Sequence, residues 1–340
     1  MNGYERIVAA LSGKMPDRRP VMLHNFMHAA ELSKINMKQF REDPRLAANS
    51  LIEAVERYGL DGVLFDVDTA LLASSIGVPT DYPDDTPARN HEPLLENIAD
   101  VHRLEEVDIS KNIRIQHALE TVRLLKNYFK DEVYVRGNCD QCPFDLATLV
   151  RSAENFMMDL LTDEENAVAL LKYCTNVTKQ IIRLMAATGA DMVSNGDSFA
   201  GPEMIPPEMY RKFAFPYELE VVQEAHACHK PYLLHICGNT DLILEDMAAL
   251  GLEAVELDYK TSIAKIYETM HDKCTLFGTV DPSGVLTFGS LTDIEQKTIE
   301  LLKIYQDCPR LVVNAGCAIP KEAPHENVKR FVDTVHGWEM

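Results

Sequence analysis

Eight short apolar runs, each followed by a helix-like pattern, constrain this chain more than any other feature. They centre near residues 22, 64, 134, 193, 233, 256, 276 and 312. Gly62-Val63-Leu64-Phe65 and Leu311-Val312-Val313 are representative: too short for helices, too uniformly apolar for surface strands, and rich in β-branched residues. Between them lie longer segments with apolar residues at helical spacing. Asp43–Tyr58 places Leu46, Leu51, Ile52 and Val55 on one face and stops at Gly59. Further helices are predicted over 114–129, 163–187, 207–229, 242–250, 263–270, 293–306 and 325–336. Eight βα units in 340 residues predict an α/β fold of the (β/α)8 TIM-barrel type. A short helix over Tyr4–Leu11 precedes the first strand as an N-terminal extension. A doubly wound sheet would carry a Gly-rich phosphate turn after an early strand, and no first turn here reads that way. With no linker, internal repeat or low-complexity tract, residues 1–340 are expected to form one domain.

In a barrel of this kind the reactive face lies at the carboxyl ends of the strands. The polar residues at those ends are Asp66 and Asp68, Asn138, Asp197, His235 and Cys237, Asp258, Asp281 and Cys317. Capping of the following helix is an equally good account of Asp66 and Asp281. His235 and Cys237 are two apart, so a strand turns both to one side. Cys317 follows the last strand through Asn314-Ala315-Gly316, which brings it to the same mouth. One imidazole and two thiolates are donors that a catalytic zinc prefers, with a position left open. Asp258, its neighbour Glu256, a water or a substrate are the candidates for the fourth ligand. His24 and His28 follow the first strand, as mouth residues or as solvated loop histidines. Cys139-Asp140-Gln141-Cys142 reads as a strand-end loop before a helix start at Pro143, with a redox pair as the alternative.

Charge narrows the partners. Against 53 acidic residues stand 33 Lys and Arg, a formal charge of -20. That excludes a nucleic-acid or anionic-membrane partner. No apolar run approaches the roughly 20 residues of a membrane span, and the first residues lack a signal-peptide pattern, so a cytoplasmic location is expected. The eight cysteines are then expected as reduced thiols or metal ligands.

Several stretches resemble the uroporphyrinogen decarboxylase superfamily, and within it the cobamide-dependent methyltransferase branch. They are Gly62-Val63-Leu64-Phe65-Asp66, Ile205-Pro206-Pro207-Glu208-Met209-Tyr210, Gly278-Thr279-Val280-Asp281-Pro282, His235-Ile236-Cys237-Gly238-Asn239-Thr240 and Asn314-Ala315-Gly316-Cys317. The resemblance implies the same barrel and assigns zinc to His235, Cys237 and Cys317. Decarboxylases carry an N-terminal Arg-Gln-Ala-Gly-Arg segment for porphyrin carboxylates. Here the corresponding place reads His24-Asn25-Phe26-Met27-His28-Ala29-Ala30, without arginine. They also carry a His where this chain has Cys317, although Asp68 lies near their catalytic aspartate.

What the methyltransferase branch implies is transfer between a methylated corrinoid, methylcobalamin-like and carried on a separate protein, and a zinc-activated small thiol such as coenzyme M. The sulfur takes the methyl from Co(III) and leaves Co(I). The opposite half-reaction, from a methylated small molecule to the corrinoid, and a decarboxylase-like lyase are the alternatives. Asp68, Asp197 and Asp258 are the candidate catalytic carboxylates. Arg136, the one evident mouth cation, and Asn138 are the candidate cofactor-binding residues.

Overall fold

The computed structural model describes residues 1–339. Eight parallel strands form one sheet in chain order. They are β1 Met22–Leu23, β2 Gly62–Phe65, β3 Tyr134–Gln141, β4 Met192–Gly196, β5 Tyr232–Ile236, β6 Ala254–Leu257, β7 Thr275–Thr279 and β8 Leu311–Asn314. A parallel bridge from Val21 to Val313 joins the first strand to the last, and Val313 N–H donates to the Pro20 carbonyl at 2.8 Å, closing the barrel. All eight predicted strands are present. Each is short because a barrel strand needs to span only the few layers of side chains that fill the interior.

Those layers follow from the two-residue period. At the amino end Met22, Leu64, Tyr134, Met192, Leu233, Ala254, Phe277 and Val312, one from each strand, form a single apolar cluster. Ile7 and Ala10 of the helix Gly3–Leu11 join it, so the N-terminal extension stoppers the bottom of the barrel. Asn2 starts that helix with a capping box, accepting from Glu5 N–H while the Glu5 side chain accepts from Asn2 N–H. Two residues further along each strand stand His24, Asp66, Arg136, Ser194, His235, Glu256, Thr279 and Asn314. Every one is polar. The interior therefore changes from hydrocarbon to hydrogen-bonding groups in a single step toward the carboxyl end.

The structure differs from the sequence reading in a few elements. The predicted helix over 207–229 is two, Pro207–Phe213 and Phe215–Ala227, broken at Ala214. Pro216 has no N–H to donate to the preceding turn and stands instead in the first turn of a new helix. Phe26–Leu32, Met37–Glu42, Leu71–Ser75, Pro143–Arg151 and Ala153–Thr162 are helices that periodicity alone leaves unassigned beyond a start at Pro143. Strand β3 runs on through Gln141, with an irregularity in its pairing to β4 between Asn138 and Gln141 and with Asp140 at a φ of 60°. Cys139 is thus inside a strand, not in a strand-end loop. Among the described residues no helix is long and apolar enough to cross a membrane.

Candidate metal centre

Strand β5 delivers His235 at its penultimate position and Cys237 just beyond its end. Strand β8 ends at Asn314, and Gly316 then turns the chain to present Cys317. Gly316 has a φ of 75°, and a Cβ there would lie 2.5 Å from the Leu257 carbonyl oxygen, so only glycine lets this loop press against β6. Gly238, beside Cys237, has a φ of 83°, a left-handed turn that favours glycine.

One donor atom each from His235, Cys237 and Cys317 lies within 4.8 Å of the others. His235 Nε2 is 3.0 Å from Cys237 Sγ, and the two sulfurs are 3.6 Å apart. Two thiolates held tetrahedrally at about 2.3 Å from one zinc would be roughly 3.8 Å apart, so the sulfurs stand close to the spacing such an ion requires. The imidazole is oriented for the task. Its Nδ1 is 3.0 Å from the Glu256 carbonyl oxygen, which accepts an Nδ1–H and leaves Nε2 facing the sulfurs. The donor set fits a soft, tetrahedral ion with room for another ligand.

The three groups perturb one another's protonation. Cys317 donates to Cys237, and with the His235 imidazolium this lowers the Cys237 thiol to about 3, against the opposing effect of burial. Burial alone would lower His235, but the Cys237 thiolate and Glu256 outweigh it and raise it to about 10. Cys317 is pushed well up by the same hydrogen bond and by burial.

Around this triad His24, Asp66, Arg136 and Glu256 of the polar layer are tied to one another. His24 Nε2 is 2.7 Å from Asp66 Oδ2 and its Nδ1 3.0 Å from Glu256 Oε1. Arg136 donates from Nη1 to Glu256 Oε2 and from Nε to Ser194 Oγ at 2.8 Å. Asn138 Nδ2 donates to Asp66 Oδ1 at 2.9 Å. Burial opposes charge on His24, yet Asp66 and Glu256 overcome it and hold it protonated to about 9. Glu256, completely buried, is held well below the usual carboxylate range by Arg136, His24 and His235 despite its burial.

Above the layer opens a cavity of about 340 Å³. Its polar lining includes His24, Asp66, Asp68, Arg136, Asn138, His235, Cys237 and Cys317, and its apolar lining Phe26, Met27, Leu149 and Phe199. Asp68 faces this cavity, but Arg41 Nε donates to it at 3.2 Å and it accepts from Ala70 N–H. Asp258 does not face it. Its two oxygens accept from Gly238 N–H at 3.0 Å and Lys260 N–H at 3.1 Å, holding the Cys237 loop in place. Glu256 is likewise committed to Arg136 and His24, so neither carboxylate stands as a free fourth ligand. Asp145, absent from the sequence reading, lines the cavity and accepts from Ser198 and Phe199 N–H, fixing the turn whose Ser198 Oγ accepts from Cys237 N–H at 3.3 Å.

Asp197 requires the plainest correction. It is one residue out of phase with Ser194 and Gly196 and is completely buried away from the cavity, where Asp145 N–H donates to its Oδ1 at 2.8 Å. Its Oδ2 and Glu218 Oε1 are buried without other partners, and the two carboxyls interact. Two interacting buried carboxyls resist ionising together. Burial raises Glu218 to about 7 and Asp197 well above its ordinary value, so the folded state keeps protons that the unfolded chain releases between about pH 4 and pH 7. Stability contributed by this pair is full at low pH and falls as pH rises through that window. Glu218→Gln removes that loss. Urea unfolding should find the variant about 1–3 kcal/mol more stable than the parent at pH 8 and no more stable at pH 4.

The remaining sequence candidates lie elsewhere. Cys139 Sγ sits against the carbonyls of Gly137 and Ile181 and Cys142 Sγ against Tyr232 Oη, and burial pushes both thiols up, the opposite of an activated thiolate. His28 packs with Tyr58 and His325 away from the cavity. Asp281 accepts from the N–H groups of Ser283 and Gly284 in its own turn.

Comparison with known proteins identifies the family. Residues 2–338 match the profile of the uroporphyrinogen decarboxylase (URO-D) family. A methylcobamide:CoM methyltransferase, MtbA, from Methanosarcina acetivorans is 25% identical over 246 residues, 72% of this chain and 70% of its own length. A uroporphyrinogen decarboxylase from Carboxydothermus hydrogenoformans is 26% identical over 314 residues, 89% and 86% of the two chains. In fold, a methyltransferase from Methanosarcina mazei superposes with a TM-score of 0.90 at 22% identity, covering 99% of this chain and 98% of its own. A profile match over nearly every residue decides the matter: the chain belongs to the uroporphyrinogen decarboxylase (URO-D) family.

Proposed function

We propose that this chain is a methyltransferase that moves a methyl group between a methylated corrinoid carried on a separate protein and a small thiol held at a zinc site of His235, Cys237 and Cys317. The observation that supports this reading is the convergence of one imidazole nitrogen and two sulfurs at the floor of an open cavity. A zinc ion bound there would lower the pKa of an incoming thiol and keep it a nucleophile at neutral pH. The protein's part is positional. Glu256 fixes the ring of His235 through its main-chain carbonyl, Ser198 and Asp258 hold the Cys237 loop, and Phe26, Met27 and Phe199 limit water around the sulfur.

A corrinoid is too large for a 340 Å³ cavity, so only its methyl face could meet the mouth. The loops after β4, β5, β6 and β7 carry the exposed apolar side chains Met204, Leu242, Tyr259 and Phe288 respectively. That rim suits a docked protein surface. Nothing comparable favours a porphyrin decarboxylase. Arg136 and His24, the lining cations outside the triad, are already paired with carboxylates, which leaves no free charge for a polycarboxylate.

The test is methylcobalamin demethylation followed by absorbance, with chelated and zinc-restored protein and a small thiol. The expected result is demethylation that requires both zinc and thiol. Metal-independent decarboxylation of a porphyrinogen, with no demethylation by any thiol, would overturn the proposal.

A further inference from the structure

The charges in the cavity bear on which thiol or methylated compound it accepts. Besides the triad, its lining contains the carboxyls of Asp66 and Asp68, and those of Asp140 and Asp145 that burial pushes toward the neutral form, with Arg136 and His24 as its cations and no lysine among the described residues. Both cations are spent. Arg136 lies against the completely buried Glu256, and His24 is clamped between Asp66 and the same Glu256. The nearby Arg41 is likewise paired, with Asp68. Each buried cation thus already faces a carboxylate, and an anionic tail would enter with its charge uncompensated and beside Asp66 and Asp68. The remaining lining, Phe26, Phe199, Met27 and Leu149, offers ring faces and a thioether, which suit an ammonium or a neutral apolar group.

We infer that the small-molecule substrate of this cavity has a neutral or cationic tail and that anionic thiols, sulfonates among them, are disfavoured. This rests on the zinc–thiol reading above. It narrows that reading, since the coenzyme M of the related methyltransferases' names is a sulfonate.

Three thiols of equal length separate the possibilities: 2-aminoethanethiol, 2-mercaptoethanol and 2-mercaptoethanesulfonate. Their affinities for the zinc-loaded full chain would be measured by calorimetry and corrected for each thiol's own ionisation. The amine and the alcohol are expected to bind at least about tenfold more tightly than the sulfonate, a difference that shrinks with added salt. Asp68→Asn, which leaves Arg41 unopposed, should move the ratio toward the sulfonate by about tenfold. Tightest binding of the sulfonate to the parent chain would overturn the inference while leaving the thiol reading intact, and an unchanged ratio in Asp68→Asn would overturn its electrostatic basis. Failure of all three to bind would remove the thiol reading and this inference with it.

Discussion

Cys317→Ala should purify with almost no zinc and lose thiol-dependent demethylation by more than about 10³-fold, corresponding to ~4 kcal/mol of transition-state stabilisation. Two ligands, His235 and Cys237, would remain, and two do not hold a zinc ion that must also keep a position open for substrate. The barrel should survive. Cys317 lies past the end of β8 and is only half-buried, so its removal leaves no cavity in the core. The variant should therefore unfold at the temperature of the metal-stripped parent chain and not below it. Metal analysis, calorimetric melting and the demethylation assay on one preparation check all three statements. Retention of one zinc and full activity would remove Cys317 from the site.

Glu256→Gln has the larger consequence for stability. Glu256 is completely buried and answers Arg136 and His24 together. Neutralising it leaves a buried guanidinium without its counter-charge. Breaking a buried pair in this way costs about 3–5 kcal/mol. For a chain of this size that is a fall of roughly 4–7 °C in melting temperature. His24, now raised to about 9 largely against burial, would release its proton more readily. Zinc content should be kept, because His235 is oriented by the main-chain carbonyl of residue 256 and not by its carboxylate. A variant that melts like the parent would show that the Arg136 charge is compensated elsewhere.

The contrast between these residues marks how much the sequence discloses. The eight strands were legible because apolar runs such as Val63-Leu64-Phe65 and Leu311-Val312-Val313 suit no other element, and β-barrel closure then follows from their number. His235 and Cys237 were legible as a pair from the strand period, and Cys317 from its place after the last strand. Strand period carries a further signal. Counted from the apolar layer it places His24, Arg136 and Glu256 inside the barrel and turns Asp197 outward, to a buried place beside Glu218.

Other features depend on contacts that no local pattern encodes. Glu256 meets Arg136 across 120 residues of chain. Asp258 has the parity of an inward residue, but it lies beyond the end of β6, where the backbone N–H groups of Gly238 and Lys260 claim its oxygens. The helix Phe26–Leu32 was hidden by its polar approach, His24-Asn25, and the side chain of Asn25 makes no cap that would have announced it.

The central claim is that one nitrogen and two sulfurs hold zinc with a place left for a thiol. X-ray absorption at the zinc edge of the loaded chain, before and after adding 2-mercaptoethanol, tests it most directly. The account predicts two sulfur ligands and one imidazole nitrogen with a light-atom ligand at the start, and a third sulfur at about 2.3 Å once thiol is present. A shell of nitrogen and oxygen alone, or a sulfur count that thiol does not change, would contradict it.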